Sequence, residues 1–165
     1  MSFFVSNTEF TARSVPTAYR LFRAKYAPMD PTGAAVAGGR WNQKGVPVIY
    51  ASTTLSLSCL EILVHIKEPR LPADYVWVRI DIPAELMGEP LAPSDPTDEV
   101  QCRLRGTEWA RRQQSAAVEA PSVIIPIENN VLLNPAHPQL AGIAVSEPVR
   151  FRFDPRLFKL GPAAL

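Results

Sequence analysis

The sequence has few cysteines and almost no net charge, and each of these features argues against a class of function. The two cysteines, Cys59 and Cys102, lack the paired spacing of a zinc site, and such sparse cysteine suits a reducing compartment. The formal net charge is +1, which gives no electrostatic footprint for nucleic acid. We therefore expect no metal site and no direct contact with DNA or RNA.

Several signals of membrane proteins and of common enzymes are also absent. No apolar run approaches the length of a membrane span, and residues 1–14 lack a basic segment followed by a long apolar one. There is no Walker loop, Rossmann glycine fingerprint or internal repeat. A Gly-x-Ser-x-Gly elbow is missing and neither histidine has a triad context, which argues against a serine hydrolase. We expect a cytoplasmic protein that contacts no membrane.

Proline, in contrast, is abundant, with 17 among 165 residues. This abundance predicts short elements joined by ordered turns rather than long helices. The chain length and a hydrophobic content of 47% fit one globular domain with a real core. We expect an α+β single domain with a mixed, mostly antiparallel sheet and packed helices. We place it at residues 17–158, between an N-terminal arm at 1–16 and a C-terminal tail at 159–165.

Local patterns predict where the elements lie. Strands are predicted by the alternation at 75–82 and 149–153 and by the apolar runs 46–51 and 123–125, whereas 19–23 fits a strand or a helix. Helices are predicted at 55–66 and within 99–115, and loops at 27–37 and 83–98. Ser122 stands at the entrance of the strand 123–125, and a turn is predicted around Asn129, Asn130 and Asn134.

The stretch from Gly38 to His65 contains the most chemical information. Gly38 and Gly39 allow a tight turn or a close approach to a ligand. Arg40 follows at once, with a planar fork of donors suited to phosphate or carboxylate. The next strand brings Tyr50 near its end, and the helix after it contains a glutamate.

Glu61 is the unusual residue on that helix. It falls on the same face as Leu57, Leu60 and Val64, where a carboxylate is rare unless it is paired or has a chemical task. The plainer interpretation is a partly exposed residue at the helix edge, paired with His65 one turn later. Spacing alone favours that interpretation over a catalytic one.

Six short motifs occur in order along the chain. They are Gly38-Gly39-Arg40-Trp41-Asn42-x-x-Gly45, Val48-Ile49-Tyr50-Ala51-Ser52, Leu60-Glu61-x-Leu63-Val64-His65, Ala120-Pro121-Ser122, Asn134-Pro135-x-His137-Pro138 and Phe151-x-Phe153-Asp154-x-Arg156-Leu157. Together they resemble the RES domain, a family named for an Arg, a Glu and a Ser. The resemblance implies a fold similar to ADP-ribosyltransferase toxins, and it favours a strand at 19–23.

The resemblance also implies roles for individual residues. Arg40 and Arg20 would bind phosphate or ribose, with Arg23 the other candidate for the family's first Arg. Tyr50 would stack on or orient the nicotinamide riboside, and Glu61 would stabilise a cationic transition state.

Two further residues complete the site that the resemblance implies. Ser122 and Asn134 would supply hydrogen bonds to the substrate. The substrate implied is NAD+, which is consumed, so no separate cofactor and no metal is expected. Because nicotinamide is a good leaving group, cleavage of its bond to ribose needs mostly positioning and charge stabilisation.

Three functions remain open from the sequence. The first is an NAD+ glycohydrolase that acts as the toxin of a bacterial type II toxin–antitoxin system. The second is a toxin that transfers ADP-ribose from NAD+ to a host protein acceptor, and the third is a non-catalytic module that binds a partner. The resemblance implies an Xre-type antitoxin with a helix-turn-helix domain, which we expect to cover the active-site cleft, and it allows a homodimer within that complex.

Overall fold

The computed structural model describes residues 15–66 and 73–158. The predicted tail at 159–165 and most of the predicted arm at 1–16 therefore lie outside the described residues. As the prolines predict, the elements are short. In chain order they are β1 (Thr17–Arg23), α1 (Thr32–Ala37), β2 (Ile49–Ser52), α2 (Leu55–Leu63), β3 (Tyr75–Asp81), a 3-10 turn (Ala84–Leu86), α3 (Glu99–Arg112), β4 (Ala117–Pro121), β5 (Asn129–Leu133), a 3-10 turn (Leu140–Gly142), β6 (Ala144–Val145), β7 (Val149–Phe151) and a 3-10 turn (Pro155–Phe158).

The strands of the described residues form one sheet, and the predicted α+β fold is confirmed. The strand order is β4-β5-β2-β1-β3-β6, and β7 also pairs with β3. Every pairing between these strands is antiparallel. An isolated parallel bridge joins Met87, which lies outside these strands, to Ala117 of β4.

The hairpin of β4 and β5 differs from the sequence prediction. A strand at 123–125 is wrong, because β4 ends at Pro121 and the chain then turns. The Ser122 hydroxyl accepts hydrogen bonds from the backbone N–H groups of Ile124 and Ile125, at 3.1 and 3.3 Å, which closes this turn. The turn predicted around Asn129 and Asn130 is also wrong, since both residues belong to β5.

Helices α2 and α3 cover one face of the sheet. Partly buried side chains of α2, Ile62 and Leu63, pack with Leu21 of β1 and Tyr75 of β3. The buried side of α3 joins a second cluster, which includes Leu132 of β5. The opposite face of the sheet is covered by loops and by the 3-10 turns that contain Leu86 and Leu140.

Local sequence sets the ends of these helices. Helix α2 begins after Thr54, whose hydroxyl accepts the N–H of Leu57 at 3.0 Å, and it ends at Leu63 rather than extending to residue 66. Helix α3 begins after Asp98, whose carboxylate accepts the N–H groups of Val100 and Gln101. Among the described residues, no helix combines the length and the apolar character needed to span a membrane.

Candidate active site

A cleft of about 1280 Å³ opens on the helix-covered face of the sheet. Pockets for small molecules are typically about 300–1,000 Å³, so this cleft has room for a ligand as large as a dinucleotide. Strands β2 and β5 form its floor, and α1, α2 and α3 contribute to its walls. The lining includes Arg40, Tyr50 and Glu61 from the predicted site, so the structure brings these three residues together.

Glu61 is held by two neutral hydrogen-bond donors. Its Oε1 accepts the Ser122 hydroxyl at 3.1 Å and the Asn130 side-chain amide at 2.7 Å. The Asn130 Oδ1 in turn accepts the Ser52 hydroxyl at 2.9 Å, which fixes the orientation of the amide. Glu61 is partly exposed, as the plainer interpretation has it, but within the described residues it forms no pair with His65. Side chains from β2, β5 and the β4–β5 turn thus orient one oxygen of Glu61, which lies on α2.

A second network positions the loop that contains Arg40. The Tyr50 hydroxyl accepts the backbone N–H of Trp41 at 3.0 Å and donates to the Asn42 Oδ1 at 2.6 Å. Asn42 is fully buried, and its Nδ2 donates to the backbone of Ala34 and Val46 at 2.8 and 2.9 Å. The Tyr50 hydroxyl is therefore occupied by the protein, whereas its ring lines the cleft.

The two glycines before Arg40 have the roles that their position suggests. Gly38 has φ of +73°, a conformation that other residues rarely adopt. A Cβ on Gly39 would lie 2.6 Å from the Tyr50 hydroxyl. Another residue would be strained at position 38 and would displace the Tyr50 hydroxyl at position 39, so the close approach is to Tyr50 of the protein itself.

The two networks start from the same face of one strand. Tyr50 and Ser52 are two residues apart on β2, so their side chains point to the same side of the sheet about 7 Å apart. Tyr50 contacts the loop that contains Arg40, and Ser52 is linked to Glu61 through Asn130. This short strand therefore sets the spacing between the cationic and the anionic parts of the cleft.

Burial raises the pKa of Tyr50 to about 12. A tyrosine in an unfolded chain ionises near pH 10, so the folded state retains this proton in the range where the unfolded state loses it. Stability from this group is complete below about pH 10 and is lost as the pH rises to about 12. We expect Tyr50→Phe to remove this alkaline loss, which urea unfolding at about pH 9 and about pH 11 would measure.

The same substitution has a cost at neutral pH. It leaves the buried Asn42 Oδ1 and the Trp41 N–H without a partner, which should destabilise the protein by about 1–3 kcal/mol. The exposed Tyr26 is the control, and Tyr26→Phe should leave the stability at neutral pH unchanged. Equal alkaline losses in the wild type and Tyr50→Phe would contradict the assignment.

Arg20 lies outside the cleft lining and acts on the loop that leads to α1. Its Nη1 and Nη2 donate to the backbone oxygens of Pro28 and Asp30, at 2.6 and 2.9 Å. Burial lowers the pKa of Arg20 to about 10, so the guanidinium remains charged at neutral pH. Arg23, the alternative first Arg, lies 3.8 Å from Asp74 and contacts the Tyr75 ring. A direct contact of either arginine with substrate stays a prediction.

Asn134 is placed at the other end of β5 from Asn130. It follows the last residue of this strand, about 13 Å along the chain from Asn130. Its Nδ2 donates to the Ala110 carbonyl at 2.8 Å and its Oδ1 accepts the Ala136 N–H at 3.0 Å. Asn134 is fully buried and lines a smaller cavity instead of the main cleft. Its position suits a structural role in the packing of α3, and Asn130 takes the place at Glu61.

Three residues that contribute to the site were given no role in it from the sequence. Asn130 and Ser52 meet only because β2 pairs with β5, which joins positions 78 residues apart. Arg103 lies on α3, where it lines the cleft and its Nε donates to the Gly39 carbonyl at 3.0 Å. Because all three depend on long-range contacts, only an alignment or a structure could have found them.

Comparison with known proteins agrees with the motifs. A family model described as the RES domain matches residues 17–154. This chain belongs to the RES-domain family. The match covers the cleft residues from α1, α2, α3 and the β4–β5 hairpin.

Proteins similar to this RES-domain chain include toxins. A "Prs ADP-ribosylating toxin" of Sphingobium sp. (strain YBL2) is 36% identical over 141 residues, which cover 79% of this chain and 87% of that protein. A "Toxin Res" of Photorhabdus laumondii subsp. laumondii is 40% identical over 125 residues, or 71% of this chain and 80% of the relative.

A solved structure has a similar fold. The match lies within the crystal structure of the M. tuberculosis MbcT–MbcA toxin–antitoxin complex, with a TM-score of 0.67 over 88% of this chain and 87% of the other. Sequence identity is 16%. This likeness therefore supports the architecture of the RES domain and not the details of its site.

Proposed function

We propose that this protein is the toxin of a bacterial toxin–antitoxin pair and that it consumes NAD+ by cleaving the nicotinamide–ribose bond. The observation that carries this proposal is Glu61, whose Oε1 is held by Ser122 and Asn130 in the same cleft as Arg40. The names of the similar toxins support the same conclusion. NAD+ is the substrate in this proposal, and no other cofactor is assigned.

The chemistry follows from the two charged parts of the cleft. Arg40 would bind the diphosphate through charge-assisted hydrogen bonds. The bond between ribose C1′ and the nicotinamide nitrogen then breaks, its electron pair leaves with nicotinamide, and positive charge develops on the ribose. The described donors to Glu61 both contact Oε1, and we assign Oε2 to the ribose hydroxyls. The carboxylate would stabilise the developing cation without forming a covalent bond.

The hydrolase and the transferase differ in the nucleophile that attacks the ribosyl cation. With water, the added hydroxide ends on C1′ of free ADP-ribose and one proton is released, which is NAD+ glycohydrolysis. With a nucleophilic side chain of a host protein, the product is an ADP-ribosylated protein and one proton. The similarity to an ADP-ribosylating toxin favours keeping the transferase as the second candidate.

Labelled NAD+ tests the proposal. We expect purified wild-type protein to release nicotinamide. If the protein is a hydrolase, the label appears in free ADP-ribose. If it is a transferase, the label appears on a protein band after bacterial lysate is added. Arg40→Gln should lower kcat/KM about tenfold or more, because it removes a charged contact with the phosphates. Arg112→Gln, on the exposed side of α3, is the control and should retain the wild-type rate.

A protein that does not consume NAD+ would contradict the proposed function. If NAD+ is stable with and without lysate, and calorimetry detects no NAD+ binding, the protein is the non-catalytic partner-binding module instead. If the protein binds NAD+ without consuming it, the proposed enzymatic activity is excluded, but the cleft is still a nucleotide-binding site.

We also propose a cognate antitoxin as the partner. An Xre-type antitoxin with a helix-turn-helix domain would cover the cleft that contains Arg40 and Glu61, and contact with DNA would come through the antitoxin, within a complex that contains a homodimer of the toxin. The toxin–antitoxin complex with a similar fold supports a partner of this kind. A complex whose cleft is open to solvent and fully active would contradict this arrangement.

A further inference from the structure

Arg103 on α3 brings a second arginine to the cleft beside the Arg40 loop. Its Nε donates to the carbonyl of Gly39, the residue immediately before Arg40, at 3.0 Å. The guanidinium also forms an ion pair with Glu99, one turn earlier on the helix. Both Glu99 and Arg103 line the cleft, and the Arg103 side chain is 37% exposed. This arginine is therefore attached to the loop on one side and open to the cleft on the other.

The contacts of Arg103 leave much of its donor capacity unused. A guanidinium has five N–H donors, and in the described residues Arg103 uses Nε for Gly39 and Nη2 for Glu99. Arg40 also lines the cleft, and its Nη1 donates to the Pro96 carbonyl at 3.5 Å. Lys44 adds a third cation to the lining at the Arg40 loop.

Helix α3 contains a comparison for this ion pair. Glu108 and Arg112 form a pair of the same type and spacing, with side chains 58% and 61% exposed and outside the cleft lining. Among the ion pairs of the described residues, only Glu99–Arg103 has both the four-residue spacing and a hydrogen bond to Gly39, next to Arg40. The second pair therefore serves as an internal control for the ordinary effect of a surface pair on this helix.

We propose that Arg103 is a specificity-determining residue that binds the second phosphate of a nucleoside diphosphate group, with Arg40 binding the first. This inference rests on the proposed function and narrows its substrate to dinucleotides, as opposed to nicotinamide mononucleotide. Glu99 occupies part of the Arg103 guanidinium and repels an incoming phosphate. Binding of a diphosphate replaces this carboxylate as the anionic partner of Arg103.

The test uses ADP and AMP, which share the adenosine part and differ by one phosphate. Calorimetry on the full chain should show that the wild type binds ADP more tightly than AMP. Arg103→Gln should weaken ADP about tenfold or more and change AMP little, because one charge-assisted contact is lost. Glu99→Gln should tighten ADP about two- to fivefold, because a competing exposed charge is removed.

The variants at the second ion pair provide the matched control. Glu108→Gln and Arg112→Gln change the same charges on the same helix and should leave the preference for ADP over AMP unchanged. Arg103→Lys retains the charge but not the fork of donors, and it should give an intermediate preference. If Arg103→Gln is poorly folded, the opposite effect of Glu99→Gln still tests the proposal.

The outcomes separate this inference from the proposed function. A wild type without a preference for ADP, or an Arg103→Gln variant that keeps the preference, would overturn the role of Arg103 whatever happens to NAD+. A preference that depends on Arg103 in a protein that consumes no NAD+ would overturn the proposed reaction and keep the diphosphate site. Because binding of ADP requires no turnover, the result does not depend on catalysis.

Discussion

Glu61→Gln is expected to slow NAD+ cleavage by about 100- to 1,000-fold, in the range seen when a single group that stabilises transition-state charge is removed. Glutamine has almost the shape of glutamate and can still accept the hydrogen bonds from Ser122 and Asn130 through its amide oxygen. It lacks the negative charge that opposes the ribosyl cation. We therefore expect a large fall in kcat and a small change in KM, measured as nicotinamide release over time.

The control for Glu61→Gln is Glu108→Gln, which changes a carboxylate of α3 outside the cleft. It should retain the wild-type kcat. Thermal unfolding of both variants should lie close to that of the wild type, since neither substitution leaves a buried cavity. A folded Glu61→Gln variant with more than about a tenth of the wild-type rate would remove Glu61 from the reaction.

Gly106→Ala is expected to cause the largest loss of stability. A Cβ at this position would lie 2.0 Å from the carbonyl oxygen of Trp41 and 2.9 Å from its Cβ. The conflict is with backbone, so no side-chain rotation can relieve it. We expect a loss of about 3 kcal/mol or more, at the upper end for overpacked sites, and a fall in Tm of roughly 6–12 °C.

Gly33→Ala is the matched control for this prediction. It lies in α1, and a Cβ there would meet nothing within 4 Å. The same change of residue should therefore leave the stability unchanged or raise it by about 0.4–1 kcal/mol, through a less flexible unfolded chain. Calorimetric unfolding of both variants measures the difference. Equal Tm values for the two would show that α3 can move away from Trp41 at little cost.

Elements with a strong local pattern were predictable from the sequence. The alternation in β3 and the apolar run that becomes β2 identify these strands because one pattern decides each of them. Helix α3 lies within the segment 99–115 where a helix was predicted. The unit from Gly38 to Glu61 also gave the correct neighbourhood of the site, because its parts are close in sequence and meet in one cleft.

The hairpin of β4 and β5 failed because local preference and tertiary environment disagree there. Val123 and Ile124 are apolar and β-branched, yet they lie in a turn and line the cleft. Asn130 is polar, yet it belongs to a strand and is buried against Glu61 and Ser52. Strand propensity depends on such contacts, which the local sequence does not contain. Asn134 was assigned from the resemblance instead, and its contact with substrate stays a prediction.

The partners of Glu61 have a consequence for synthesis of the protein. Ser122 and Asn130 lie far beyond Glu61 in the chain, and β5 is placed between β4 and β2 in the finished sheet. Since a chain emerges from the ribosome N-terminus first, a nascent polypeptide that has exposed Arg40 and Glu61 still lacks both donors. The carboxylate becomes oriented only when the final third of the domain has been translated and inserted. A chain that ends before Ser122 therefore lacks both donors to Glu61, and Oε1 of this carboxylate is not oriented in it.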